Sequence, residues 1–155
     1  MKKLPKSLCL FSLVLFIFSG CAANKIKNNP AEITMPDGFV VNADLAQTIS
    51  EKETGLSTRE SLAENAGMLF VFSKASHPAF WMKNMKFPID IIWIEDSKII
   101  DITENAPIVS EELGDYQIPQ YTCGEEVDYV LEVEAGFSQK HNLKIGDVVE
   151  IDIEK

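Results

Sequence analysis

The sequence predicts an α+β domain, mostly β, in the form of a small partly closed barrel of short strands with one or two short helices. Three observations predict it. Six or seven runs of strand length recur between Phe39 and Ile153. Turn residues separate them, and helical spacing is confined to two short stretches. Strands this short hide their edges by curling or closing.

Phe39 to Ala43 is the first expected strand. Leu45 to Thr58 carries partial helical spacing, with Ile49 and Leu56 on one side and Glu51, Lys52 and Glu53 on another. Gly55 costs such a helix about 1 kcal/mol relative to Ala and places its end nearby. Ser61 to Asn65 reads as a turn, and Gly67 to Phe72, apolar on both faces, as a buried strand. Ser73 to Pro78 reads as a loop and Ala79 to Met82 as a short strand. Ile89 to Glu95 is apolar apart from Asp90 and Glu95, and Glu95-Asp96-Ser97-Lys98 turns it into a hairpin with Lys98 to Thr103. Asn105 to Glu126, with Pro107, Gly114, Pro119 and Gly124, reads as a long ordered loop. Such loops in compact domains are often functional. In the next strand Val127, Tyr129, Leu131 and Val133 alternate with Asp128, Glu132 and Glu134, and Val130 breaks the pattern on the polar side. Gly136 to His141 fits a short helix. Leu143 to Asp147 turns into a last strand, Val148 to Ile153, with Val149, Ile151 and Ile153 on one side.

Residues 1–20 read as a secretory signal peptide: Lys2, Lys3 and Lys6, an uninterrupted low-polarity run from Leu8 to Phe18, then Ser19 and Gly20 before Cys21. The run is too short to span a bilayer, which takes about 20 apolar residues. Phe18-Ser19-Gly20-Cys21 resembles the lipobox of bacterial lipoproteins, with Phe18 where Leu is usual. The resemblance implies cleavage before Cys21 and lipid on its thiol. One acyl chain holds a protein marginally, and two or more hold it stably. Residues 21–30 form the lipidated cysteine and a polar tether, leaving 31–155 as a single domain. The expected location is exported and membrane-anchored by lipid on Cys21. In a cell with two membranes, Ala22 resembles outer-membrane sorting, facing the periplasm. Otherwise the site is the outer face of the plasma membrane.

The chain has 14 Lys+Arg against 24 Asp+Glu. Without the three signal-peptide lysines the mature part keeps 11 cations against the same 24 acids, a net charge of −13. Such a surface repels nucleic acid and anionic headgroups, so no nucleic-acid partner is expected. With Cys9 in the leader and Cys21 lipidated, Cys123 has no intrachain disulfide partner, and burial is its default.

Glu53-Thr54-Gly55-Leu56-Ser57-Thr58-Arg59, Gly67 to Phe72, Phe80-Trp81-Met82-Lys83-Asn84, Pro88-Ile89-Asp90-Ile91, Tyr129-Val130-Leu131-Glu132, Ala135-Gly136 and Gly146-Asp147 together resemble the family called domain of unknown function 192. The resemblance runs from about Val40 to about Ile153. Ser57 stands where the family usually has Met, and Met85 where it has Thr. The resemblance implies a compact β-rich domain with a shared surface site and assigns no reaction.

The candidate ligand pocket comprises Arg59, Met68, Trp81, Met82, Asn84, Asp90 and Glu132, partly covered by the Asn105–Glu126 loop. Arg59 is the sole arginine, and its planar fork suits carboxylates. Asp90 lies in an apolar stretch, where a charge is costly unless paired. The two would form either a polar pocket floor or purely structural pairs: Arg59 with a carboxylate, Asp90 with nearby backbone. Met82, Met85, His77 and Cys123 are an alternative metal set, with Met68 a further soft donor. Thioether and thiolate select Cu(I), and a neighbouring Trp would shield it by cation–π contact. Against this, methionines at strand spacing commonly fill cores. His77 and His141 lie in loops outside any nucleophile–base motif, and no zinc-protease motif, phosphate loop or nucleophile elbow is present.

The expected function is therefore a non-enzymatic accessory module of the cell envelope, monomeric, binding an unidentified small ligand or envelope protein without a cofactor. An envelope Cu(I) protein is the alternative, and a hydrolase comes third.

Overall fold

The computed structural model describes residues 30–110 and 112–153. The expected signal peptide, lipobox and nearly all of the expected tether, residues 1–29, lie outside the described residues. The chain runs β1 (Pro30–Thr34), β2 (Val40–Ala46), α1 (Ile49–Thr54), β3 (Ala66–Ser76), β4 (Ala79–Trp81), β5 (Ile89–Glu95), β6 (Lys98–Ala106), a 3-10 turn (Asp115–Gln117), β7 (Gln120–Thr122), β8 (Val127–Glu134), α2 (Phe137–Lys140) and β9 (Glu150–Ile153). The class is α+β, mostly β, with two short α-helices, as the sequence predicts.

Seven strands form one sheet in the order β6-β5-β8-β3-β2-β1-β9, and β4 pairs with β7 in a separate ribbon. The β2–β3 pair is parallel and the other pairings are antiparallel. The expected barrel is not closed by a ladder. The edges β6 and β9 meet only at one corner, through a bridge between Lys98 and Val148. There Ile99 N–H donates to Asp147 O at 2.8 Å, Gly146 N–H to Ile99 O at 2.7 Å and Val149 N–H to Ser97 O at 2.9 Å. The four residues of β9 are taken up by β1, so only the turn before it is left to reach β6.

Three expectations change. β1 was not foreseen, because Pro-Ala-Glu-Ile-Thr has only two apolar side chains besides the proline. Leu45 and Ala46 belong to β2, so the helix is shorter than its spacing implied. The segments expected to be loops are partly strand: β3 runs on to Ser76, β6 to Ala106, and β7 props β4 by pairing Gln120 with Trp81.

Side chains alternate across a strand, and here both sides of the sheet are covered. One core gathers Ile33, Val41, Leu69, Ile92, Leu131 and Phe137. The other gathers Leu56, Met68, Phe70, Ile91, Trp93 and Val130. The central β5 is consequently buried from Ile89 to Ile94. Each large side chain fully buried this way contributes roughly 1.5–3 kcal/mol. The break in alternation at Val130 has its reason in the second core, which lies on the side read as polar.

α1 holds to the second side without burying a residue of its own. A capping box secures its start: Glu51 N–H donates to Thr48 Oγ1 at 3.2 Å, and Thr48 N–H to Glu51 Oε2 at 2.8 Å. These bonds satisfy amides that the first helical turn leaves unpaired.

Candidate functional site, a cleft over Glu132

Registers across β2, β3 and β8 bring Asp44, Met68 and Glu132 side by side on the second side of the sheet. Arg59, from the segment after α1, donates through Nη2 to Asp44 Oδ2. Both members of this ion pair are mostly buried. Glu132 is 5% exposed, and its Oε2 has no hydrogen-bond partner among the described residues. Burial pushes its carboxyl up to about 8, against the pull of the Arg59 charge. Desolvation disfavours the ionised form, and a cation already committed to Asp44 does not offset it.

Above Glu132 lies a cleft of about 130 Å³, walled by Phe70, Phe72, Phe80, Trp81 and Met85. Phe80 packs edge-on against Phe70 at 4.8 Å and against Trp93 at 5.5 Å, which fixes this wall to the core. Trp81, 41% exposed, stands at the mouth. Two ring faces carry cations: Lys52 Nζ lies 4.3 Å from the Phe72 centroid and Lys83 Nζ 5.0 Å from that of Trp81. Lys83 also donates to Asp115 Oδ2 at 2.7 Å. Thr54 and Gly55 form the opposite rim. Gly55 has φ +48°, a conformation that glycine adopts freely and other residues rarely do, as the chain passes beside the Phe70 ring. The same two residues border a second hollow of about 270 Å³ that contains Asp44, Arg59 and Met68. There Asp44 and Arg59 are paired with each other, and Glu51 accepts the backbone N–H groups of Gln47 and Thr48.

Of the residues singled out in the sequence, Glu132 and Trp81 line this cleft, while Arg59 and Met68 line the neighbouring hollow. Met82 is buried in the second core. Asn84 is exposed at φ +59°, in a turn beside a different surface hollow. Asp90 does not reach the cleft, and it does not pair with Arg59. It is fully buried under α2, where Oδ1 accepts from the backbone N–H of Asn105 at 2.8 Å and of Gly136 at 3.1 Å, and Oδ2 from Ser138 at 2.8 Å. Its role is to hold backbone.

Among the soft donors, Met85 edges the cleft, His77 is exposed, and Cys123 is buried in the second core. Burial pushes the Cys123 thiol up, which favours the protonated form over the thiolate that binds metals. No group of three or more His, Cys, Asp or Glu among the described residues is arranged to hold a metal. His141, read as a loop histidine, has a buried side chain. It is stacked 4.4 Å from Phe39 and 4.3 Å from Phe137, with Nδ1 2.7 Å from Asp37 Oδ2.

Asp44, Phe70, Phe72 and Phe80 were not singled out from the sequence. The available signal was the aromatic spacing itself. Phe70 and Phe72 are two apart on β3, and so share a face with Met68.

The profile of the DUF192 family, described as an uncharacterized ACR, matches residues 32–151. Two solved structures are similar. One, described as a candidate transcription regulator from Sinorhizobium meliloti 1021, is 32% identical, with 79% of this chain and 92% of that chain covered at a TM-score of 0.68. The other, a protein of unknown function from Novosphingobium aromaticivorans DSM 12444, is 30% identical, with 78% of this chain and 83% of that chain covered at a TM-score of 0.68. No curated protein matches the chain.

Proposed function

This chain belongs to the DUF192 family, and from that premise we propose that it is a lipid-anchored module of the cell envelope that binds a small ligand over Glu132 without turning it over. The observation that carries the binding is the bare Glu132 carboxyl in an aromatic cleft. An unpaired polar group in an apolar setting is unfavourable by several kcal/mol unless something satisfies it. A titratable group perturbed by burial and sitting in a cleft marks a functional site more often than an accident of packing. The lining of the cleft includes no histidine or cysteine, and no nucleophile–base motif marks its serine and threonine in the sequence, which supports binding without turnover.

The envelope address rests on the sequence: the basic start, the short apolar run and Ser19-Gly20 before Cys21. The regulator description of the Sinorhizobium protein is not carried over. A formal net charge of −10 repels the phosphate backbone that any DNA-binding regulator must approach.

Cys21→Ser tests the anchor. The variant should leave the membrane fraction and appear soluble. Retention in the membrane fraction after leader cleavage overturns the anchor. The same soluble protein tests the cleft by thermal unfolding against small carboxylates, amines and neutral aromatic compounds. One class should raise the midpoint for the Cys21→Ser protein and fail to do so when Trp81→Ala is added. No stabilisation by any class overturns the binding reading.

A further inference from the structure

We infer that the occupant of this cleft is a small organic ammonium ion, held by the Glu132 carboxylate at the floor and by the faces of Phe72 and Trp81 at the mouth. The inference deepens the binding reading above and rests on it.

Three independent features select a cation. Glu132 Oε2 is buried without a donor and belongs to the cleft lining. Once ionised, it is an acceptor awaiting a donor or a positive charge. Phe72 and Trp81 each present a ring face to an ammonium group, that of Lys52 at 4.3 Å and that of Lys83 at 5.0 Å. An aromatic face with a cation above it is the arrangement that recognises ammonium ligands. The chain as a whole is acidic, with 24 acids against 14 bases, and such a field draws cations toward it.

The charged groups around Glu132 fit this assignment. Arg59 is balanced by Asp44, and Lys83 by Asp115. Lys52 and Glu53 stand together on α1 at the rim. The two lysines occupy ring faces of the cleft, so a ligand ammonium takes their place there, and Lys83 keeps Asp115 as its counter-ion. The size agrees too. About 130 Å³, at roughly 30 Å³ per water-sized volume, holds about four such groups, the scale of a small ammonium ion.

Binding is coupled to a proton. In the empty cleft at neutral pH Glu132 is the neutral acid, because burial holds its carboxyl near 8. When the ammonium ion enters, Glu132–COOH becomes Glu132–COO⁻ paired with the cation, and one proton passes to solvent. Charge balances, and no bond of the ligand changes. Affinity should therefore rise up to about tenfold per pH unit below the carboxyl's own value and level off above it.

The test uses the whole mature chain carrying Cys21→Ser. Tetramethylammonium and butylammonium chlorides are titrated at constant chloride, and binding is followed by Trp fluorescence. A pH indicator in weakly buffered solution reads proton release. Butyrate and butyramide serve as an anion and a neutral amide of similar size. The expected result is saturable ammonium binding with up to one proton released, weakened at least tenfold in Glu132→Gln. Gln is close in shape to the protonated acid, and an unfolding curve checks that the variant folds. Phe72→Leu, at the half-exposed mouth, provides a second variant and should weaken binding several-fold. Ammonium binding unchanged in Glu132→Gln and in Phe72→Leu overturns the inference. Binding of butyrate or butyramide without proton release overturns the ammonium assignment and leaves the site standing. Failure of all four compounds overturns the ammonium assignment and the binding reading together.

Discussion

Asp90 and Glu132 are buried carboxyls on neighbouring strands of one sheet, one rung apart, with Asp90 opposite Val133 and Ile91 opposite Glu132. They face opposite sides and meet opposite circumstances. Asp90 receives three backbone N–H groups from β6 and the start of α2. Glu132 receives none at Oε2 and is pushed up to about 8. A buried charge persists where its lone pairs are met, and otherwise the group takes a proton. The first side of the sheet is thus finished, with its acid built into the backbone. The second side keeps an acid whose bonding capacity is unspent, and that difference separates scaffold from site.

The largest expected effect tests the finished side. Asp90→Ala strands the N–H groups of Asn105, Gly136 and Ser138. Each buried donor without an acceptor costs about 1–3 kcal/mol, so the loss from three should be at least about 3 kcal/mol. That is a large part of the stability of a typical domain. Urea unfolding measures it. A loss under about 1 kcal/mol would mean that the carboxylate is as dispensable to folding as Glu132, and the contrast would collapse.

The next effect tests the open side through pH. The folded state keeps the Glu132 proton up to about pH 8, and the unfolded chain only up to the ordinary value of 4.5. Between the two the folded state binds the extra proton. The stability from this group is therefore full below 4.5 and falls as pH rises, by about 1.4 kcal/mol per unit, until it levels near pH 8. Glu132→Gln has no proton to lose. It should gain on the wild type by roughly 3 kcal/mol between pH 5 and pH 8, read from urea unfolding of both proteins at each pH. A constant difference would show that Glu132 titrates as an exposed glutamate does.

The two acids also differ in how far the sequence reveals them. Asp90 announces itself, because an acid inside Pro-Ile-Asp-Ile-Ile-Trp has to be satisfied, and backbone satisfaction was one of its two readings. Glu132 sits at a polar position of an alternating strand, which by itself reads as exposed. Its inclusion came with the family resemblance. The contrary signal was Val130, an apolar residue on the same side, and the second core explains it. Strand runs such as Gly67 to Phe72 and Ile89 to Glu95 were legible because local periodicity encodes them. β1 and β7 were not, since they are short and owe their extended form to pairing partners far away in sequence. The Arg59–Asp44 pair was hidden for the same reason: it is made across the sheet face by residues 15 positions apart, and nothing local marks Asp44.

The smallest effect concerns the helices that flank the two sides. α2 is tied to the sheet by Asp90, and it buries Phe137 and Ser138. α1 buries nothing and holds its first turn with its own Thr48 and Glu51. Thr48→Ala removes one side of that box and should destabilise α1 by about 1 kcal/mol. Global unfolding should shift little, because α1 contributes no residue to either core. The effect belongs in local opening: faster amide hydrogen exchange at Lys52 and Gly55, whose N–H groups donate to Thr48 O and Glu51 O, with exchange at Lys140 and His141 in and just after α2 unchanged. Acid should act on the same turn. The backbone N–H groups of Thr48 and Gln47 hold the Glu51 carboxyl below its ordinary 4.5. Its contribution is therefore present above that value and lost as pH falls below it, which NMR shifts of α1 would follow. Equal exchange changes in both helices would mean that α1 is docked as firmly as α2, and that the wall of the Glu132 cleft is as rigid as the finished side of the sheet.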